Sequence, residues 1–133
     1  MKLEVDLLRD LLMYVEEKAD RPISHLTEII LKDWEEQTVA YHVMLAAEAG
    51  LIIAHISEIP DEYEPIFLNI RYSVARLTFN GHQFLESIRD PKYWSFIKTT
   101  SKNVGNITIG MIGSIAQSYA KAELAKQFGF NIP

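Results

Sequence analysis

Glu48-Ala49-Gly50-Leu51-Ile52-Ile53-Ala54-His55-Ile56 decides how this chain folds, because a helical pattern stops there and a strand pattern begins within two residues. Glycine is the residue type that takes the left-handed position just past a helix end, so Gly50 marks the stop. The β-branched run that follows suits an extended strand. Upstream, Val39, Val43 and Ala46 share one helical face. Asp33 stands as the N-cap, with Glu36 three residues on as its capping-box partner, so the spacing predicts a helix from there to Ala49. Downstream, Leu51–Ile56 reads as a strand and Ser57–Pro65, with two prolines and four acids, as a loop. Ile66–Leu77 alternates as the returning strand of a hairpin.

Working outward, Val5, Leu8, Leu12 and Val15 recur at helical spacing, which predicts a helix over Val5–Lys18 that Arg21-Pro22 breaks. Ile23–Leu31 suits a short helix or a short strand equally. After the hairpin, Thr78 caps a helix over Phe79–Arg89, and Gly81 sits in its first turn. Asp90-Pro91 then reads as N-cap and N1 of a short helix through Trp94 and Ile97. Ser101–Asn106 reads as a polar turn, and a last helix is predicted from about Thr108 to Phe128, ended by Gly129. A helix that feeds a two-stranded hairpin and then another helix resembles a winged helix. The expected fold is therefore α+β: a winged helix-turn-helix-like domain over residues 1–90 with the hairpin as wing. Residues 91–133 are a C-terminal helical extension packed on it or on a partner subunit.

Composition narrows the chemistry. The 133 residues carry no cysteine, which excludes disulfide scaffolds, thiolate metal sites and a cysteine nucleophile. Residues 1–88 hold seven Lys/Arg against sixteen Asp/Glu, whereas residues 89–133 hold six against two. Between Lys32 and Arg71 there are eight acids and no base. The N-terminus turns acidic before any apolar run, and the stretch Val104–Ala116 falls short of the roughly 18 residues that cross a bilayer. A soluble, cytoplasmic protein without membrane association is expected.

Several residues group into a denser pattern: Tyr41-His42-Val43, Glu48-Ala49-Gly50-Leu51-Ile52, Arg76-Leu77-Thr78-Phe79 with Gly81-His82 and Phe84-Leu85, and Ile88-Arg89-Asp90 with Trp94. Together with Met1-Lys2, Asp6-Leu7, Arg9, Leu12 and Glu16, they resemble an uncharacterised bacterial family of small proteins often encoded in phage or prophage regions. The resemblance covers nearly the whole chain. It implies a setting and a fold and carries no activity.

A winged helix that reads DNA places its recognition helix in the major groove and neutralises phosphates with Lys and Arg. Here the helix over residues 35–49 has no base, the wing is expected to offer none either, and Glu35 and Glu36 stand at the helix's entering end. Its outward positions are expected to be Gln37, Tyr41, Met44, Leu45 and Glu48, a surface more apolar than cationic. Either the C-terminal helices cover that surface, or it meets a protein partner or a second copy through the C-terminal helix, or it touches DNA. The preferred reading is non-enzymatic regulation or interference by protein contact. Tyr41, Met44 and Leu45 would anchor the contact, and Asp61, Glu62 and Glu64 would form a polar rim. The alternative is a DNA-binding regulator using Lys92, Lys98 and Lys102.

Little points to catalysis. The four histidines never fall at the i, i+4 spacing of a helical metal pair. His82 and Glu86, one turn apart, are all that a small enzyme would have to work with. His42, beside the core face, reads as a half-buried histidine with its hydrogen bonds satisfied. Gly105 and Gly110 have phosphate-loop spacing, but Met111 stands where that loop needs lysine. No cofactor and no metal are implied.

Overall fold

Leu7, Leu8, Leu11, Leu12 and Val15 recur at the three- and four-residue spacing of a single helical face, and all five are buried in the computed structural model of the chain. The structure describes residues 1–104, 110, 112–114, 121, 122 and 124–126. The elements run α1 (Val5–Lys18), α2 (Glu36–Glu48), β1 (Ile52–Pro60), β2 (Leu68–Leu77), α3 (Phe79–Ile88) and α4 (Pro91–Val104). They form an α+β architecture of several helices and one antiparallel hairpin, divided into two compact units, Met1–His82 and Gln83–Pro133. In the first unit α1 packs on α2 and β2, and α2 packs on both strands. Val39, Val43 and Ala46 of α2 are buried as their spacing predicts, together with Leu51, Ile52, Val74 and Leu77 of the hairpin.

The joint between α2 and β1 is built by hydrogen bonds that its sequence foretells. Gly50 takes φ 74°, its N–H donates to Ala47 O and the Leu51 N–H donates to Ala46 O, which closes the last turn in the paired-bond manner of a glycine cap. Thr78 locks the far end of the hairpin to the same place. Its N–H donates to Leu51 O at 3.0 Å and its hydroxyl to Gly50 O at 2.6 Å, while Oγ1 accepts from the Gly81 N–H at 2.9 Å. Gly81 lets α3 start against the strand backbone, because a Cβ there would overlap the Leu51 carbonyl.

Four expectations need correction. The N-cap of α2 is Glu35, not Asp33. Residues 32–34 form a turn closed by Trp34 N–H to Leu31 O, and the Glu35 carboxylate takes the Gln37 and Thr38 N–H groups at 3.0 and 3.1 Å. The strand β1 runs on to Pro60 instead of ending at Ile56. Pro60 is tolerated because residues 54, 56, 58 and 60 turn their amides away from β2, so its missing N–H costs the ladder nothing. The hairpin is also not free of bases, since β2 contains Arg71 and Arg76. Finally, Ser101–Val104 continue α4, with no glycine or proline before Gly105 to stop it, where a turn was expected.

The ambiguous segment 23–31 is neither helix nor a full strand. It runs extended and makes one bridge, Leu26 with Val74, supported by Ser24 N–H to Ala75 O at 3.1 Å. The helix predicted over Thr108–Phe128 and its Gly129 stop lie largely outside the described residues; 110, 112–114, 121, 122 and 124–126 are helical.

The two glycines of the joint should rank in a defined order. Gly81→Ala is expected to cost about 3 kcal/mol in urea unfolding of the full chain, because the overlap is with backbone that cannot yield. Gly50→Ala should cost about 1 kcal/mol, the price of the left-handed φ alone.

Candidate functional site

Pairing on β2 determines where a site can form. Asp61 N–H bonds to Phe67 O, so counting up the ladder, residues 69, 71 and 73 exchange hydrogen bonds with β1 while residues 70, 72 and 74 face the other edge. Val74 is satisfied there by Leu26, with both bonds at 3.0 Å. Ile70 is satisfied by a side chain: the Gln37 amide donates Nε2–H to Ile70 O at 3.3 Å and accepts the Ile70 N–H on Oε1 at 2.9 Å. Gln37 thus stands in for a strand.

Between these two partners the N–H and C=O of Tyr72 point to the same edge. A cleft lies there, in two lobes. The larger, about 500 Å³, runs between Thr27–Ile30 and Asn69–Tyr72 with Trp34 and Glu36 in its wall. The smaller, about 440 Å³, lies against His55, Ser57, Arg71 and Ser73. Both share Thr27, Glu28, Arg71 and Tyr72. The Tyr72 hydroxyl accepts the Ile29 N–H at 2.8 Å and so holds the extended segment in place; burial pushes that phenol above its ordinary range.

The hairpin tip is the second feature. Asp61 organises it: Oδ1 accepts the Tyr63 and Glu64 N–H groups, each at 2.9 Å, and Oδ2 accepts from Asn69 Nδ2 at 3.0 Å. Those donors, Glu64 first, hold the Asp61 carboxyl below its usual range. On this fixed loop Tyr63, Ile66, Phe67 and Leu68 are 86, 86, 62 and 57% exposed. These adjacent large apolar side chains form an exposed apolar patch on a loop fixed by its own hydrogen bonds.

The residues expected to meet a partner are placed as follows. Gln37 is engaged by Ile70 and is half-buried, as are Tyr41, Met44 and Leu45; Glu48 alone of the outward set is exposed. Tyr41 sets its ring edge-on to His42 at 5.7 Å. Asp61 is spent on the loop, while Glu62 and Glu64 are exposed. His42 is fully buried where half-burial was expected. Its Nδ1 meets Thr38 O and its Nε2 accepts the Glu4 N–H, both at 2.8 Å, so the ring ties the start of α1 to α2. His82 lies 3.9 Å from Glu16 and Glu86 lies 3.2 Å from Arg89, so each has its own partner. Lys92, Lys98 and Lys102 lie on α4. The exposed tip was missed in the sequence, where its acids drew the eye from the apolar run Ile66-Phe67-Leu68.

Residues 2–107 match the hypothetical-protein family DUF2513. The chain belongs to that family. An uncharacterized protein of Haemophilus influenzae (strain KW20 Rd) is 32% identical over 127 residues, covering 94% of this chain and 100% of that one. No solved structure matches. The DUF2513 chain has no helix, among its described residues, long and apolar enough to cross a membrane. The same residues contain no group of three or more His, Asp or Glu placed to hold a metal ion.

Two outcomes follow from this geometry. Gln37→Ala should destabilise the protein by about 1–2 kcal/mol and speed hydrogen exchange at the Ile70 amide, since both Ile70 groups lose their partner. The Glu35 carboxyl is held below its ordinary value chiefly by the Gln37 N–H. Its capping contribution is therefore full above the ordinary glutamate pKa and lost as pH falls through the lowered one. The stability gap between the native chain and Glu35→Ala, about 1 kcal/mol at neutral pH, should close in acid unfolding curves.

Proposed function

We propose that this DUF2513 protein is a non-enzymatic contact module of winged-helix type, acting in regulation or interference by binding a protein partner through its hairpin tip. The phage or prophage setting comes from the family resemblance. The observation that carries the reading is the tip itself: four large apolar side chains held out in water by a loop that Asp61 fixes from within. A loop ordered beforehand loses little conformational freedom on binding, and aromatic and aliphatic side chains of this kind form the dry centre of interfaces. Glu62 and Glu64 supply an acidic rim, which favours a basic partner surface. The fold supports the winged-helix description in its order of α1, bridge segment, α2, hairpin and α3.

The competing reading, a DNA-binding regulator, asks α2 to enter a groove. Gln37, the polar residue best placed to reach a base, would have to leave Ile70. Fluorescence anisotropy with random-sequence duplex at about 20 and about 200 mM salt separates the two, because phosphate contacts weaken steeply with salt. No binding at either salt is expected. In cells, a photo-crosslinking residue placed at Tyr63 should give a discrete protein adduct that Ile66→Asp abolishes. Tight duplex binding at low salt that collapses at the higher value would establish the regulator instead.

A further inference from the structure

The outer face of the hairpin carries donors that neither the tip nor the core uses. The strand register sets His55 opposite Ser73 and Ser57 opposite Arg71, and alternation puts all four side chains on one face of the sheet. Thr27 and Glu28 close this face into the smaller lobe, and His25 reaches across to Ser73 Oγ with Nδ1 at 3.5 Å. Arg71 is the first base after Lys32 in the chain. Among the described residues no carboxylate lies within ion-pair distance of its guanidinium.

A guanidinium fork flanked by two hydroxyls and an imidazole matches the oxygens of a tetrahedral anion, each offering a donor to a different oxygen. The adjoining lobe has different chemistry. It offers the Trp34 ring and the Ile30 side chain, 79% exposed, together with the N–H and C=O of Tyr72 on the edge of β2, which no group among the described residues takes up. That backbone pair already has a model of its ligand in the same structure, since one position along the edge the Gln37 amide fills the equivalent pair at Ile70. What Tyr72 would accept is a planar group with a donor beside an acceptor.

We infer that the cleft binds a small organic phosphomonoester with a flat, hydrogen-bonding body, the class of the nucleoside monophosphates. The phosphate sits against Arg71, His55, Ser57 and Ser73, with Glu28 the single acid in the lining of that lobe. The ring lies in the Trp34 lobe with its amide-like edge on Tyr72. A nucleic-acid backbone offers the same phosphate chemistry. As a polyanion, however, it would carry further charges against Glu36, Glu62 and Glu64, all of them exposed, whereas the phosphate of a single monoester meets Glu28 as its one acid.

Titration of the full chain with inorganic phosphate, AMP, UMP and a 20-base-pair duplex tests this, read by backbone amide and Trp34 indole NMR shifts. AMP or UMP should perturb the Arg71 and Tyr72 amides and bind at least ~10-fold more tightly than inorganic phosphate, a gain of about 1.4 kcal/mol. Arg71→Gln, at an exposed position that leaves the fold intact, should weaken the nucleotide at least ~10-fold. Lys92→Gln should change nothing. The inference is overturned if neither phosphate nor nucleotide moves these amides at about 10 mM, an affinity too weak for a built site. It is equally overturned if Arg71→Gln binds as the native chain does. Duplex that competes the nucleotide away and loses its own binding in Arg71→Gln would assign the donor face to a nucleic-acid backbone and overturn the small-ligand reading.

Discussion

The second edge of β2 governs this molecule. A strand in the middle of a fold exposes a backbone N–H and C=O every second residue, and each pair must find a partner or stay wet. Here β1 takes the odd-numbered residues, and the even-numbered ones are met by three unlike devices in turn. Val74 is paired by a strand fragment, Ile70 by a side-chain amide, and Tyr72 by nothing among the described residues. The first device fixes the course of residues 23–31. The second fixes the start of α2, because the Gln37 amide reaches Ile70 only if the helix begins where Glu35 caps it. The third leaves the cleft open at a point where the Tyr72 hydroxyl, by accepting the Ile29 N–H, holds the facing segment in position.

What the sequence reveals and what it hides follow from the range of each interaction. The stop at Gly50 and the cap at Thr78 were legible because a helix end is written in adjacent residues, and each residue type there has one common use. The buried stripes of α1 and α2 were legible for the same reason. Residues 23–31 were not, because their conformation is set by Val74, far along the chain, through backbone groups that every residue type possesses. Gln37 looked like an outward polar residue, and no local pattern distinguishes an amide pointing into water from one lying along a strand edge 33 residues away. Asp33 looked the better cap because aspartate is the commoner one. The longer Glu35 prevails because the turn closed by Trp34 puts the extended residue one step before α2 at position 35.

The hairpin was read as an acidic wing, and the structure divides that acidity by use. Asp61 holds three donors of its own loop, so its charge stabilises the tip from inside and is poorly available to a partner. Glu62 and Glu64 remain outside. The effect is a rigid apolar tip with a negative border, which combines low ordering cost with charge selectivity. The half-buried Tyr41, Met44 and Leu45 cannot offer the same without exposing more of α2.

A negative chain with an anion-accepting cleft is no contradiction. The surface charges of the hairpin tip act through water, where at physiological salt their influence decays over about 8 Å. A ligand seated on Arg71 meets donors in direct hydrogen-bond contact, where geometry outweighs the distant field. Net charge therefore sets which large partners approach, and the local donor set decides which small ones stay. On the two readings proposed, the hairpin carries both kinds of selectivity on separate surfaces: the acidic apolar tip for macromolecules, and the His55–Arg71 face for small ligands.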